Sequence, residues 1–155
     1  MKGNSEVIDC LNGLLTHELT AIDQYLVQAA MLQNWGYHGL HARIAHEADD
    51  ETAHVKKLID RVLYLEGVPN VADRAPLDIG AGPKEMIESD LALEMTVAKQ
   101  LNEGMALCRD KGDNGTRALL EELLNDTEQD HILWFETQLR LIRELGLEIY
   151  LAEKI

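Results

Sequence analysis

The sequence predicts an all-α fold: a bundle of four long helices with one long crossover and a short fifth helix. Aromatic residues make up only 5% of the 155-residue chain and there are only 3 prolines, which favours helices over strands. Apolar residues recur at helical spacing over long stretches. Turn signals are few, and they divide the chain into two helical pairs joined by one long connection.

The first helical pair is predicted from its cap and its turn. Asn4 or Ser5 can cap a first helix that runs to about Trp35. The short turn Gly36–Gly39 separates it from a second helix, which ends near Glu66. Because the turn is short, the two helices should lie antiparallel.

The second pair begins after residues 67–82, which contain several glycines and prolines and form the long connection. Pro83 suits the first turn of a third helix that ends near Arg109. Asn114 or Thr116 can cap the fourth helix.

The fourth helix is expected to end near Gly146, and a short tail helix to follow from Leu147 to about Glu153. The long connection can cross the bundle, because it is the only one with enough length. Residues 1–155 are therefore expected to form a single domain.

Composition narrows the range of partners and compartments. The net charge of −14 argues against binding nucleic acid or an anionic membrane, and it permits attraction of cations. No apolar run approaches the roughly 18 residues of a membrane span, and the first ten residues contain no apolar signal region. We expect a cytoplasmic protein in which Cys10 and Cys108 are reduced thiols.

Each long helix has one glutamate within its apolar stripe, near the middle of the helix. These residues are Glu18, Glu51, Glu94 and Glu128. The second and fourth helices add a histidine three residues later, His54 and His131, and this spacing keeps each pair on one helical face. Glu51 follows Glu18 by 33 residues and Glu128 follows Glu94 by 34, so the pattern occurs once in each helical pair.

Four carboxylates inside a bundle need compensation, because each buried ion costs several kcal/mol and the charges repel one another. Two divalent cations carry four positive charges and would balance them. Carboxylate oxygen with imidazole nitrogen suits iron or manganese better than a thiolate zinc site. A single Glu-x-x-His on a helix is a weak signal, but two of them, each with an upstream glutamate, form the ligand pattern of di-iron carboxylate bundles.

With these residues placed, the chain resembles a bacterioferritin over nearly its whole length, and the bundle is similar to the ferritin-like fold. Four segments carry the resemblance: HELTAIDQY from His17, DETAHVKKLIDRVLYLEGVPN from Asp50, SDLALE from Ser89 and GLEIYL from Gly146.

The resemblance implies a ferroxidase that oxidises Fe²⁺ and stores ferric mineral in a hollow shell of 24 subunits. It implies that Glu51 and Glu128 bridge two irons, that Glu18 with His54 completes one site, and that Glu94 with His131 completes the other. It also implies an additional iron site on the cavity wall at His46 and Asp50; a solvated helix face is the alternative interpretation.

Two aromatic residues flank the predicted centre. Tyr25 lies two turns beyond Glu18, and Trp134 follows His131 by three residues. The resemblance makes both of them candidates for electron donors to the iron pair. The alternative interpretation is that they only pack in the core and have no redox role.

The main departure from the resemblance is Thr52. Bacterioferritins bind haem between two subunits through a methionine one residue after the bridging glutamate of the second helix, and this chain has Thr52 there. A hydroxyl is a poor substitute for a thioether on haem iron. We therefore expect no haem in a homomeric shell, although a mixed shell with a haem-binding partner subunit stays open.

Two other functions use the same residues. One is a small di-iron oxidase or oxygenase that acts on an organic substrate, for which 155 residues leave little room. The other is a structural subunit of a mixed shell, in which the centre only supports folding. Neither dioxygen nor peroxide is favoured as the oxidant by the sequence.

Overall fold

A computed structural model describes all 155 residues and confirms the all-α bundle. The long helices of the first pair are α1 (Ser5–Asn34) and α2 (His38–Tyr64), and α3 (Pro83–Asp110) begins the second pair. The fourth long helix is continuous but has three parts: α4 (Asn114–Asp126), a π-helical turn π1 (Thr127–Ile132) and α5 (Leu133–Leu145). A short α6 (Leu147–Ala152) ends the chain, as predicted. None of these helices combines the length and apolarity that a membrane crossing requires.

The helices pair as their connections predict. α1 packs along α2, α3 packs along the fourth long helix, and α1 also contacts α3. The crossover runs back over α1 and is fixed there by side-chain hydrogen bonds. Asn12 donates to the carbonyl of Val68 at 3.1 Å, and the hydroxyl of Thr20 accepts from the backbone N–H of Ala75 at 2.8 Å.

Two apolar clusters fill the bundle, and a polar layer lies between them. One cluster, near the N-terminal end of α1, includes Leu11, Leu58 and Leu101, and the other includes Tyr25 and Phe135. Five residues of the predicted centre occupy the layer where the helices pass from one cluster to the other: Glu18, Glu51, His54, Glu94 and His131. The apolar clusters therefore hold the four helices in place on both sides of the polar layer.

The N-terminal cap of α1 is a residue that the sequence predicts, whereas the N-terminal cap of α4 is not. The side chain of Asn4 accepts hydrogen bonds from the backbone N–H groups of Glu6 and Val7, so it caps α1 as predicted. The cap of α4 is Asp113 rather than Asn114 or Thr116. Asp113 accepts from the backbone N–H of Thr116 at 2.9 Å and from Arg61 of α2 at 3.0 Å, and the added ion pair favours this residue.

Replacing Asp113 by alanine is expected to destabilise the protein by about 2 kcal/mol, because the change removes a helix cap and a partner of Arg61. Hydrogen bonds from Thr116 and the charge of Arg61 hold the pKa of Asp113 below its usual value of 3.8, although partial burial alone would raise it. The carboxylate therefore contributes stability above that pH, and the contribution is lost as the pH falls through the lowered pKa. Denaturant unfolding at neutral and acidic pH should show the difference between the two proteins shrinking on acidification. The exposed Asp110→Ala variant should unfold like the parent at every pH.

The π-helical turn changes the register of the fourth long helix. In a π turn the hydrogen bond spans five residues rather than four, so the turn takes up one more residue than an α turn. The buried row consequently runs through Leu123, Thr127, His131 and Phe135, each four residues after the last. Thr127, not Glu128, points into the bundle.

Candidate metal centre

The first cluster of the polar layer combines α1 and α2. Glu18, Glu51 and His54 each offer a ligand atom, these atoms lie within 4.8 Å of one another, and all three residues are buried. The Nδ1 atom of His54 lies 3.2 Å from Glu51 and 3.6 Å from Glu18. Glu51 and His54 share a face of α2, as their spacing predicts.

The second cluster lies beside the first and shares Glu51 with it. It consists of Glu51, Glu94 and His131, which are buried and whose ligand atoms also lie within 4.8 Å of one another. The Nδ1 atom of His131 lies 2.8 Å from Glu51 and 3.2 Å from Glu94. The rings of His54 and His131 stack with centroids 5.8 Å apart. The geometry therefore offers two adjacent cation positions joined by one carboxylate.

The surroundings of Glu18, His54 and His131 favour their protonated forms. Burial, together with the charge of Glu51, raises the pKa of Glu18 well above its usual value. Burial alone would lower the pKa of His54, but hydrogen bonds to Glu18 and Glu51 outweigh it and raise the pKa to about 11. The same balance, with Glu51 and Glu94 as partners, raises the pKa of His131 to about 12. Metal ions that bind here would displace these protons, because they coordinate deprotonated ligands.

Several buried oxygens of the polar layer have no hydrogen-bond partner. They include both carboxylate oxygens of Glu18, one oxygen of Glu94 and the hydroxyl oxygen of Thr127. Leaving such groups unpaired is costly, and unpaired oxygens beside neutral or cationic imidazoles are the donors that hard or borderline divalent metals take. The donor set thus fits metal ions.

Glu128 is outside both clusters, so the expectation that it points into the bundle is wrong. Its side chain is exposed, because π1 turns the helix by one residue and puts Thr127 at the inward position. Asp126, on the other side of Thr127, approaches the centre instead, with an oxygen 3.5 Å from Nε2 of His54. The helical period of 3.6 residues that led to Glu128 does not hold through π1.

His46 and Asp50, the residues of the expected cavity-wall site, belong to a cluster of side chains at the surface of the isolated chain. His46 and Asp50 lie one turn apart on α2 with 3.3 Å between Nε2 and Oδ2, and Asp130 joins them. Asp50 also lies 3.6 Å from His131, so the surface cluster and the buried centre meet at this residue. Asp50, Asp126 and Asp130 line an opening that leads from the surface to both histidines.

Glu47 is a site residue that the sequence analysis missed. It is fully buried, lies 3.2 Å from Nε2 of His131 and pairs with Arg43. Its position one turn before Glu51, on the same face of α2, was the available signal.

Tyr25 and Trp134 belong to one aromatic row that ends at the centre. The buried hydroxyl of Tyr25 donates a short hydrogen bond to Glu94. The ring of Phe135 lies 6.3 Å from that of Tyr25 and 5.2 Å from that of Trp134, and the guanidinium of Arg43 covers Trp134 at 5.0 Å. The three rings pack against one another, so their geometry is compatible both with a packing role and with electron donation.

Thr52 lies on the exposed face of α2. Its hydroxyl donates to the carbonyl of Ala48 at 2.9 Å, within its own helix. A residue used in this way presents no soft ligand to solvent or to a partner.

Fold and site together define a four-helix bundle with a carboxylate–histidine centre that can bind metal ions. Comparison with known proteins identifies the family. The model of the Ferritin-like domain matches residues 8–145, so the chain belongs to this family. It is 46% identical to a protein of Pseudomonas aeruginosa named bacterial ferritin, over the full length of both chains. It is 43% identical to a bacterial ferritin of Synechocystis sp., over 100% of this chain and 99% of that one. It is 42% identical to a bacterioferritin of Mycobacterium bovis, over 99% and 96% of the two chains.

Proposed function

We propose that this protein is an iron-storage ferritin whose polar layer is a ferroxidase centre: it oxidises Fe²⁺ to Fe³⁺ and passes it on as ferric mineral. The observation that carries the proposal is the pair of buried clusters that share Glu51. Full-length similarity to proteins named bacterial ferritin supports iron storage as the function.

Ferrous iron is the substrate, and five buried residues are its proposed ligands. Glu18 and His54 hold one ion, Glu94 and His131 hold the other, and Glu51 bridges them. Each Fe²⁺ gives up one electron, and dioxygen or peroxide accepts the two electrons of the pair. Fe³⁺ acidifies bound water strongly, which favours hydroxide and oxide and so leads to mineral.

The surface cluster is the proposed inner-surface iron site. His46, Asp50 and Asp130 provide one nitrogen and carboxylate oxygens, and the opening beside them leads to the buried centre. Iron held there can exchange with the centre through Asp50, which contacts His131. Tyr25 and Trp134 remain candidates for electron donors, because their row ends at Glu94.

The proposed assembly is a shell of 24 subunits. A largely apolar patch on α1, lined by Leu26, Val27, Met31 and Trp35 among others, lies exposed on the isolated chain and supports burial against another subunit. The proposed compartment is the cytoplasm, where the free thiols of Cys10 and Cys108 would stay reduced.

One experiment separates this function from a small oxidase. Protein purified without iron is loaded with Fe²⁺ in air, oxidation is followed by absorbance, and the product is passed over a sizing column. We expect rapid oxidation, and iron that elutes with a particle many times the subunit mass of 17.4 kDa. A monomer or dimer that oxidises iron without retaining it would favour the oxidase alternative, and absence of fast oxidation would contradict the ferroxidase.

Haem binding provides a separate prediction. We expect protein produced with excess haem to lack a bis-methionine haem spectrum, because the Thr52 hydroxyl is a poor iron ligand and is engaged within α2. The variant Thr52→Met should gain that spectrum if two subunits meet there as in bacterioferritins. Such a spectrum in the unmodified homomer would contradict the prediction, whereas its appearance only on mixing with a methionine-bearing subunit would support a mixed shell.

A further inference from the structure

The guanidinium of Arg43, on α2, contacts three groups beside the metal centre. Its Nη2 atom lies 2.5 Å from Oε1 of Glu47, one turn further along the same helix. The same nitrogen donates to the backbone carbonyl of Asp130 at 3.2 Å and to the Oδ1 atom of that residue at 3.0 Å. The guanidinium also covers the ring of Trp134 at 5.0 Å. Asp130 precedes His131 and Trp134 follows it by three residues, so Arg43 contacts the fourth long helix on both sides of this histidine.

Glu47 connects Arg43 to the ring of His131. Glu47 is fully buried, and its Oε2 atom lies 3.2 Å from Nε2 of His131. The other ring nitrogen, Nδ1, faces Glu51 and Glu94 of the second cluster. When Nδ1 binds a metal ion, Nε2 carries the ring proton, and a carboxylate beside Nε2 fixes the orientation of the ring. A buried carboxylate needs a cationic partner, and the guanidinium of Arg43 is that partner for Glu47.

Arg43 also fixes the backbone next to His131. The carbonyl of Asp130 lies in π1 and belongs to the same planar peptide group as the nitrogen and the Cα atom of His131. The hydrogen bond from Arg43 to this carbonyl therefore holds the backbone of His131 against α2. Because Glu47 and Glu51 also belong to α2, the bond limits movement of the His131 ring relative to both carboxylates.

The histidine of the first cluster, His54, has different surroundings. Its Nε2 atom lies 3.5 Å from an oxygen of Asp126, whose side chain is 48% exposed. Ion pairs of exposed carboxylates contribute little, because water screens the charge and the side chain loses freedom when it is held in one position. The two metal positions therefore differ. A buried carboxylate that is paired with an arginine supports His131, whereas an exposed carboxylate faces His54.

We propose that Arg43 is a positioning residue for the metal position of the second cluster. By pairing with Glu47 and holding the carbonyl of Asp130, it keeps the His131 ring turned with Nδ1 toward Glu51. Its effect reaches the metal through His131, so it is confined to the second cluster and does not extend to the first. Arg43 itself binds no metal, because a guanidinium stays protonated and offers no lone pair. The inference rests on the proposed metal centre.

Variants that lack one histidine separate the two metal positions. His54→Ala removes the histidine of the first cluster and leaves the second cluster complete, whereas His131→Ala does the reverse. Zinc binds without redox chemistry, and calorimetric titration of each assembled metal-free variant measures its zinc affinity. In the His54→Ala background, we expect Arg43→Gln to weaken zinc binding by roughly 10–100-fold, the usual effect of losing a residue that supports a metal ligand. In the His131→Ala background, the same change should alter the affinity by less than about threefold.

The matched control is Arg74→Gln, which removes a guanidinium that pairs with Asp23 at 2.9 Å and contacts no residue of either cluster. It should leave zinc affinity unchanged in both backgrounds. Equal losses for Arg43→Gln in the two backgrounds, or no loss in either, would overturn the proposal.

A second variant covers the case in which Arg43→Gln does not fold. Glu47→Gln keeps the shape of the side chain and removes its charge, so it should show the same selective loss. An equal effect of Glu47→Gln in the two backgrounds would again overturn the proposal. A parent protein that binds no zinc would contradict the metal centre itself. A parent that binds two zinc ions, without a selective loss in the variants, would contradict only the role of Arg43.

Discussion

Replacing Glu51 by alanine is expected to abolish fast oxidation of Fe²⁺, with a loss on the order of 100-fold or more in initial rate. Glu51 is the only carboxylate shared by both clusters, so its loss removes a ligand from each cation position. Mutation of a residue that only hydrogen-bonds to a metal ligand typically lowers metal affinity or activity by roughly 10–100-fold. Loss of a shared ligand should lower them more. Stopped-flow absorbance at two Fe²⁺ per subunit measures the rate, and zinc calorimetry measures the loss of binding.

The matched control is Glu128→Ala, which removes a glutamate from the fourth long helix. Because Glu128 is exposed and outside both clusters, oxidation should stay within about a factor of two or three of the parent, as is usual for surface substitutions. A collapse of the rate in Glu128→Ala would show that this side chain swings inward to bind iron, and would contradict the ligand set proposed from the structure.

The same Glu51 variant should be less stable than the parent even when metal is absent. Burial alone would lower the pKa values of His54 and His131, but hydrogen bonds to Glu51 help to raise them, so Glu51 stabilises both imidazolium groups in the folded protein. Its removal leaves these buried groups short of a partner, which is destabilising. We expect zinc to widen the difference in thermal stability, because only the parent gains the full binding energy of two ions.

Most of the fold and much of the centre follow from helical periodicity. Glu18, Glu51 and Glu94 occur in regular α-helices, where a residue in the apolar stripe is a residue in the core, and all three are buried as expected. The inward row of α1 includes Gln24 and Gln28, polar residues whose partner on α3 could not be found from one helix alone. Pairing across helices depends on the rotation of each helix about its axis, and a spacing pattern within one helix does not contain it.

The prediction that Glu128 points into the bundle failed for a different reason. The helix boundaries around it were predicted well, since the fourth long helix does run from Asn114 to Leu145. Within that helix, however, π1 inserts one residue into the inward row, and neither composition nor a 3.6-residue period detects such an insertion.

Replacing Thr127 by glutamate tests this register directly, and it should have opposite effects without and with metal. Thr127 is fully buried one turn before His131. The new carboxylate would therefore be buried in the polar layer together with the other glutamates. Metal-free protein should lose several kcal/mol of stability, measured by thermal or denaturant unfolding. With zinc, the fourth carboxylate balances the charge of two divalent ions, and affinity should rise by at least about tenfold, which corresponds to about 1.4 kcal/mol.

Thr127→Gln is the matched control, because it adds the same bulk without charge. If π1 is correct, the glutamine variant should show only the packing cost, and zinc should bind to it about as tightly as to the parent. If Glu128 instead pointed inward along a regular α-helix, position 127 would be turned toward solvent. Glutamate and glutamine would then both leave metal-free stability within about 0.5 kcal/mol of the parent and leave zinc affinity unchanged, so the two registers predict results of different sign and size.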